Sequence, residues 1–303
     1  MKVAILDLGT NIFNLLLSEI SGKTCKILKV VKIPSFIGAG GFSTGKLSEE
    51  AMSKSIDALG KIREIIDQEG DVGFIKVFAT SAFRDTVNGS EFANNIRDNF
   101  GFEVEIISGD REAELIYKGI RESFFVLDEN VLMCDIGGGS NELIIADKEK
   151  ILWKRSFNLG ILRLKEQFKP SDPIKEEEVK MVNLYLEQEL KPLFEACKRY
   201  LPKLMIGSSG SFDTLRELLY RENNTNPVRE LDMTELGVLH QKLLVSNREE
   251  RLRMPGMSPV RVDYMVLGSI FIQLVIEKCR ISKLYQSSYS LKEGFMAEMA
   301  AQL

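Results

Sequence analysis

Asp135-Ile136-Gly137-Gly138-Gly139-Ser140-Asn141-Glu142 sets three glycines and a hydroxyl between two acids. An apolar run, Val131 to Cys134, leads in, and another, Leu143 to Ala146, leads out. That pattern predicts a strand, a tight glycine turn and a second strand. A turn lacking Cβ atoms lets a ligand approach the backbone, and its successive N–H groups form a concave anion site. Phosphate is the expected occupant, held at Gly137, Gly138, Gly139 and Ser140. Asp135, at the strand end, is placed to hold a divalent cation directly or through water, with Glu142 pointing back from the next strand. A flexible glycine hairpin with incidental acids is the alternative, and the acids at both ends weigh against it.

The design occurs once before. Val3-Ala4-Ile5-Leu6-Asp7-Leu8-Gly9-Thr10-Asn11 is an apolar strand, an acid and a small-residue turn, followed by a second strand from Phe13 to Ile20. Two copies indicate an internal duplication. The copy makes Gly9, Thr10 and Asn11 a second phosphate turn, with Asp7 as a further candidate metal ligand. Three other patches could carry chemistry. Gly207-Ser208-Ser209-Gly210-Ser211, between a strand and a helix, could bind an anion through N–H groups and the helix N-terminus. Ile107-Ser108-Gly109-Asp110-Arg111-Glu112-Ala113-Glu114 puts a carboxylate in the first turn of a helix, where it could orient or deprotonate a water attacking a phosphoanhydride. Spacing alone reads Asp110, Glu112 and Glu114 as complements of the helix dipole. Arg84, in Ser81-Ala82-Phe83-Arg84-Asp85, could neutralise a phosphoryl group or simply pair with Asp85 or another neighbour.

Composition narrows the field. The chain has 303 residues, 44% hydrophobic and 28% charged, enough for two domains with cores of their own. A net charge of −4 implies no general polyanion-binding surface, so a phosphate-rich ligand would be met by a local basic set, such as Arg84, Arg163 and Arg261, and by metal. Cys25, Cys134, Cys197 and Cys279 are scattered, which predicts reduced thiols and a cytoplasmic protein. Asp7 interrupts the first apolar run, so no signal peptide is expected. Met265 to Ile276 is too short to span a bilayer and reads as a buried helix. The single histidine, His240, follows a capping pattern at Asp232-Met233-Thr234-Glu235 and reads as structural. Acid–base chemistry must then rest on carboxylates.

The elements that must position these residues alternate between strand and helix. Strands are expected at Lys2–Leu8, Phe13–Ile20, Lys26–Lys32, Ile75–Ala79 and Glu103–Ile107, with helices from Ser48, Asn88 and Asp110. After a hinge at Asp128–Asn130, strands recur at Val131–Asp135, Asn141–Asp147 and Ile151–Phe157. A long helix opened by Pro173 and kinked or divided at Pro192 is expected next, then a strand at Lys203–Ile206. Helices fill the remainder up to a strand at Lys283–Gln286 and a last helix from Leu291. The domains are placed at 1–127 and 128–303, with the last helix, about 287–303, free to pack back on the first.

In this order the patches resemble the exopolyphosphatase/guanosine pentaphosphate phosphohydrolase (Ppx/GppA) family, nearly throughout the chain. The resemblance rests on Asp7-Leu8-Gly9-Thr10-Asn11, Ala79-Thr80-Ser81-Ala82-Phe83-Arg84-Asp85, Ile107 to Ala113, Asp135 to Glu142, Leu159-Gly160-Ile161-Leu162-Arg163-Leu164, Gly207 to Ser211, Arg261-Val262-Asp263 and Ser290-Leu291-Lys292-Glu293-Gly294. It implies two ribonuclease H-like α/β domains of the actin, sugar kinase and Hsp70 superfamily with an interdomain cleft. It also implies Glu112 as the catalytic glutamate that activates water, Arg84 as the conserved arginine, and Mg²⁺ or Mn²⁺ near Asp135 and Glu142. The reaction implied is release of a terminal phosphate from inorganic polyphosphate or from pppGpp, the latter a stringent-response nucleotide. A homodimer would fit; membrane and general nucleic-acid binding would not. Two alternatives accompany it: a polyphosphate or (p)ppGpp binding protein or sensor with weak turnover, and a small-molecule kinase of the same superfamily. The chain departs from the family pattern at Ile12 and Asn14, on either side of Phe13, where a hydroxyl and a basic residue or His are usual. Its single histidine leaves no place for the C-terminal HD-type domain of longer members.

Overall fold

The structure, a computed structural model, describes residues 1–123, 129–220 and 226–302. The chain divides into two compact units, Met1–Glu122 with Leu291–Leu303, and Ser123–Ser290. Of the expected hinge, Asp128 lies outside the described residues.

The first unit opens with β1 (Lys2–Leu8), β2 (Ile12–Ser21) and β3 (Thr24–Pro34), an antiparallel meander. A single turn, α1 (Gly41–Thr44), precedes α2 (Glu49–Glu69), which Ser48 caps by accepting from the Ala51 N–H. Then come β4 (Val72–Ala79), α3 (Ser81–Arg84), α4 (Gly89–Phe100), β5 (Val104–Ile106) and α5 (Gly109–Ser123). The sheet runs β3-β2-β1-β4-β5, with β1, β4 and β5 parallel.

The second unit holds β6 (Val131–Ile136), β7 (Asn141–Ala146), β8 (Ile151–Phe157), α6 (Ile161–Phe168), α7 (Glu176–Glu189), α8 (Lys191–Tyr200), β9 (Leu204–Ser208) and α9 (Ser209–Tyr220). It continues with β10 (Val228–Leu231), α10 (Met233–Val245), α11 (Arg248–Leu252), α12 (Met265–Cys279) and β11 (Lys283–Ser287). Its sheet runs β10-β11-β9-β6-β7-β8. The run β8-β7-β6-β9-β11 repeats β3-β2-β1-β4-β5. In the ladders Asp135 lies opposite Glu142 as Asp7 lies opposite Asn14. The two ribonuclease H-like α/β units are therefore present as a duplicated strand order.

Burial explains the strand patterns. Every residue of β6 and β7 is buried, as a strand covered on both faces requires. Helix α12 is apolar nearly all round because it lies in the core of its unit.

The structure differs from the sequence expectation in two places. The helix expected from Pro173 begins at Glu176, because Glu178 reaches back to accept from the Lys175 and Ser171 N–H groups and closes the turn there. The division expected at Pro192 is present: α7 ends at Glu189, and Pro192 sits in the first turn of α8, where its missing N–H costs nothing. Val228–Leu231, expected to be helical, is an edge strand antiparallel to β11. Its four residues carry too little periodicity to outvote the neighbouring ladder.

The last helix, α13 (Leu291–Gln302), belongs to the first unit. Phe295 meets Phe78 of β4 edge-on at 4.9 Å. A Cβ on Gly294 would overlap the backbone of Leu115 in α5 and come within 2.9 Å of Gly119 N, so only glycine allows this approach. Gly60, in α2, has nothing within 4 Å of an added Cβ. Gly294→Ala is thus expected to destabilise the protein by ~1–3 kcal/mol through overpacking. Gly60→Ala should stabilise it by ~0.5–1 kcal/mol through helix propensity. Urea midpoints of the two variants against the parent check both signs.

Candidate active site

Parallel strands end at a common edge of the sheet, and residues just beyond that edge become neighbours. In the first unit Leu8 pairs with Ala79 and Ala79 with Ile106. The turns after β1, β4 and β5 therefore converge. Thr10 Oγ1 and Ser81 Oγ lie 3.0 Å apart. Arg84 Nη1 donates to the Ile107 carbonyl at 2.8 Å and to Glu112 Oε2 at 3.3 Å. Arg84 Nε also stands 3.6 Å from Asp85, the ion pair that the sequence offered as the alternative role of this arginine. Ser108 starts α5: its hydroxyl accepts from the Arg111 N–H and its carbonyl from the Glu112 N–H. Glu112 is thereby fixed on the first helical turn, largely buried, with a guanidinium against one carboxylate oxygen.

The turn at Gly9 is held from behind. The Asn11 carbonyl accepts from the Ser35 and Phe36 N–H groups, and the Thr10 carbonyl from that of Gly38. Asn14 Nδ2 donates to Asp7 Oδ2 at 3.0 Å, so an amide takes the place opposite the acid that a carboxylate takes in the second unit.

The Gly137–Ser140 turn uses the same device with a helix. The Gly137 carbonyl accepts from the Ile161 N–H, that of Gly138 from Leu162 and Arg163, and that of Gly139 from Gly160 N–H and Arg163 Nε. A Cβ on Gly160 would overlap the Gly138 and Gly139 backbone. With its carbonyls turned onto α6, the loop has its N–H groups on the other side. Among the described residues, those of Gly138, Gly139 and Ser140 donate no hydrogen bond within the protein. That is the arrangement an anion-binding nest requires.

Asp135 is the hub of the second unit's edge. Its Oδ2 accepts from Ser208 at 2.6 Å, Ser209 at 2.7 Å and Ser290 at 2.7 Å, which joins β6, β9 and the segment after β11. Glu142 is buried and accepts from Ser156 Oγ at 2.6 Å. Ser209 has φ +70, a left-handed conformation unusual for a residue other than glycine and costing ~1–3 kcal/mol. Its bond to Asp135 offsets part of that cost. Gly207 belongs to β9, where the Phe212 ring occupies the space of a Cβ, and Gly210 lies beneath the Arg261 guanidinium. Both glycines are thus explained by packing. Burial draws the Arg261 pKa down, while Asp213, Tyr264 and Asp135 pull it up; the side chain stays charged. Cys134, beside these acids, has its pKa pushed well up by burial and is no nucleophile.

Asp135 and Glu142 supply hard oxygen donors, each oriented by hydroxyls, which suits Mg²⁺ or Mn²⁺. Among the described residues no three acids, histidines or cysteines form a cage, so waters and phosphate oxygens would complete the shell, as is usual for Mg²⁺. Asp7 stands in the other unit. Sequence reasoning missed Ser156, Asp213 and the role of Ser290. Ser290 opens a segment already noted for its resemblance, but nothing in its spacing pointed to Asp135, 155 residues away.

The sequence matches the Ppx/GppA phosphatase family over residues 26–303. The chain belongs to that family. A crystal structure of an exopolyphosphatase from Cytophaga hutchinsonii is 35% identical with a TM-score of 0.96, covering 100% of this chain and 99% of the other. The Aquifex aeolicus Ppx/GppA family member is 26% identical with a TM-score of 0.81, covering 100% and 98%. A Haemophilus influenzae protein, provisionally named an exopolyphosphatase, is 26% identical over 97% of this chain and 90% of its own length. As a Ppx/GppA phosphatase family member, the chain is a hydrolase acting on phosphate groups.

Gly160→Ala separates this geometry from mere sequence likeness. The added methyl pushes the Gly138–Gly139 backbone away from α6, so phosphate release should fall by at least about tenfold, while far-UV circular dichroism stays near that of the parent. Unchanged turnover would mean that the turn needs no support from α6.

Proposed function

We propose that this chain is an exopolyphosphatase-type phosphoanhydride hydrolase that releases terminal orthophosphate from inorganic polyphosphate or pppGpp. The observation that carries the reading is Glu112, held on the first turn of α5 with Arg84 against one carboxylate oxygen. The other relevant feature is the outward-facing N–H row of Gly138, Gly139 and Ser140. In this reading water attacks the terminal phosphorus, Glu112 takes a water proton, and the P–O bond to the rest of the chain breaks with its electrons leaving on oxygen. Arg84 orients the Glu112 carboxylate and offsets charge on the phosphoryl oxygens. The glycine turn orients phosphate through its N–H groups. Mg²⁺ or Mn²⁺ at Asp135 and Glu142 would neutralise phosphate charge. The exopolyphosphatase description of the Cytophaga hutchinsonii structure, at 35% identity, supports the substrate class.

A second reading, a polyphosphate or (p)ppGpp sensor with weak turnover, draws on Asn14. This neutral amide, committed to Asp7, stands where the family resemblance leads one to expect a basic side chain. Glu112→Gln decides between them. It should leave folding and ligand binding intact and reduce phosphate release by ~10²–10⁴-fold. A few-fold effect would leave Glu112 a complement of the helix dipole, and ligand binding with scant phosphate release by the parent itself would favour the sensor.

Asp135→Ala should abolish turnover or raise the divalent-metal concentration it requires. Full activity of the parent in excess EDTA would remove the cation from the reading.

A further inference from the structure

Away from both sheet edges, α7, α10 and α12 enclose a cavity of about 310 Å³. Its floor includes Ile270 and Leu274, and its polar wall is formed by Asn183, His240, Gln241, Gln273 and Glu277. None of these serves the site described above. Among the described residues, Asn183, Gln241, Gln273 and Glu277 make no side-chain hydrogen bond. The lining holds one carboxylate and no Lys or Arg.

His240 adds a defined acceptor. The Ser269 hydroxyl donates to the Val266 carbonyl, so toward His240, 3.1 Å away, Ser269 Oγ can only accept. Nδ1 therefore carries the proton. Burial lowers the His240 pKa, which keeps the ring neutral and leaves Nε2 as a lone-pair acceptor. The cavity thus presents an imidazole nitrogen, a carboxylate and three amide carbonyls over an apolar floor. Its charge is negative and nothing in its lining offsets it.

Such a surface repels phosphate and suits a positively charged N–H donor with an aliphatic body. We infer that this cavity is a binding site for a small organic ammonium ion, a primary alkylamine in its protonated form. The ammonium group donates to Glu277 and His240 Nε2, the amides take the remaining donor or fix its direction, and the alkyl chain lies on Ile270 and Leu274.

The single histidine makes the test direct, because the imidazole C2–H gives one proton signal without assignment. Titration of the full chain with 1,4-diaminobutane should shift that signal saturably. In Glu277→Gln, an exposed position, the apparent dissociation constant should weaken about three- to tenfold. Tetramethylammonium, which carries the charge but no N–H, should give no saturable shift. Leu274→Phe, which fills the floor, should abolish the response while the protein stays folded. Four outcomes would overturn the assignment: no saturable shift with the diamine, an equal shift with tetramethylammonium, no weakening in Glu277→Gln, or a tighter saturable response to adenosine than to the diamine.

Discussion

Three hydroxyls converge on one carboxylate oxygen of Asp135, and the second unit's working edge depends on that convergence. A buried carboxylate is costly unless its oxygens are satisfied, and charge-assisted bonds to hydroxyls are among the stronger ways of doing so. Ser208 and Ser209 come from the end of β9 and Ser290 from the segment after β11, so satisfying the acid also fixes the mutual position of β6, β9 and that segment. The same demand holds Ser209 in a left-handed conformation. Local strain and long-range order here have one cause.

The glycine turns show a complementary economy. A peptide group has two poles, and immobilising the carbonyl leaves the N–H directed the opposite way. In the first unit the segment from Ser35 to Gly38 immobilises the carbonyls, and in the second the first turn of α6 does so. The duplicated strand order therefore carries a duplicated principle built from different parts. The acids have diverged more than the backbones: Asp7 faces an amide where Asp135 faces a second carboxylate. The two halves consequently differ in charge at equivalent positions.

Much of this was legible in the sequence, for reasons that can be stated. Both hairpins announce themselves because an apolar run, an acid and small residues lie within ten positions of one another. The α/β order follows from hydrophobic periodicity, and α2 from Ser48 and its repeating apolar face. Glu112 was visible as a first-turn acid, but its pairing with Arg84 was not, because the two are joined only by the β4–β5 ladder. Ser290, Ser156 and Asp213 stayed hidden for the same reason: hydroxyls and acids far apart in sequence carry no local signal of a shared partner. Gly207 and Gly210 each have a packing reason of their own, the Phe212 ring and the Arg261 guanidinium, which their place in a small-residue turn did not disclose. Composition cannot separate a glycine that admits a ligand from one that admits a side chain. The short strand β10 escaped because its pairing with β11, and not its own four residues, makes it a strand.

The chain leaves its first unit at Glu122 and re-enters it at Leu291, where α13 lays Gly294 against α5 and Phe295 against β4. Synthesis runs from the N-terminus, and domains tend to fold as units once their residues are available. The second unit is continuous in sequence, and all of it is made before α13, so the first still lacks a helix while the second is synthesised. The first unit, begun earliest, is completed last. Until then the apolar faces of β4 and α5 await their cover, and the first unit stays open to misassociation throughout the synthesis of the second.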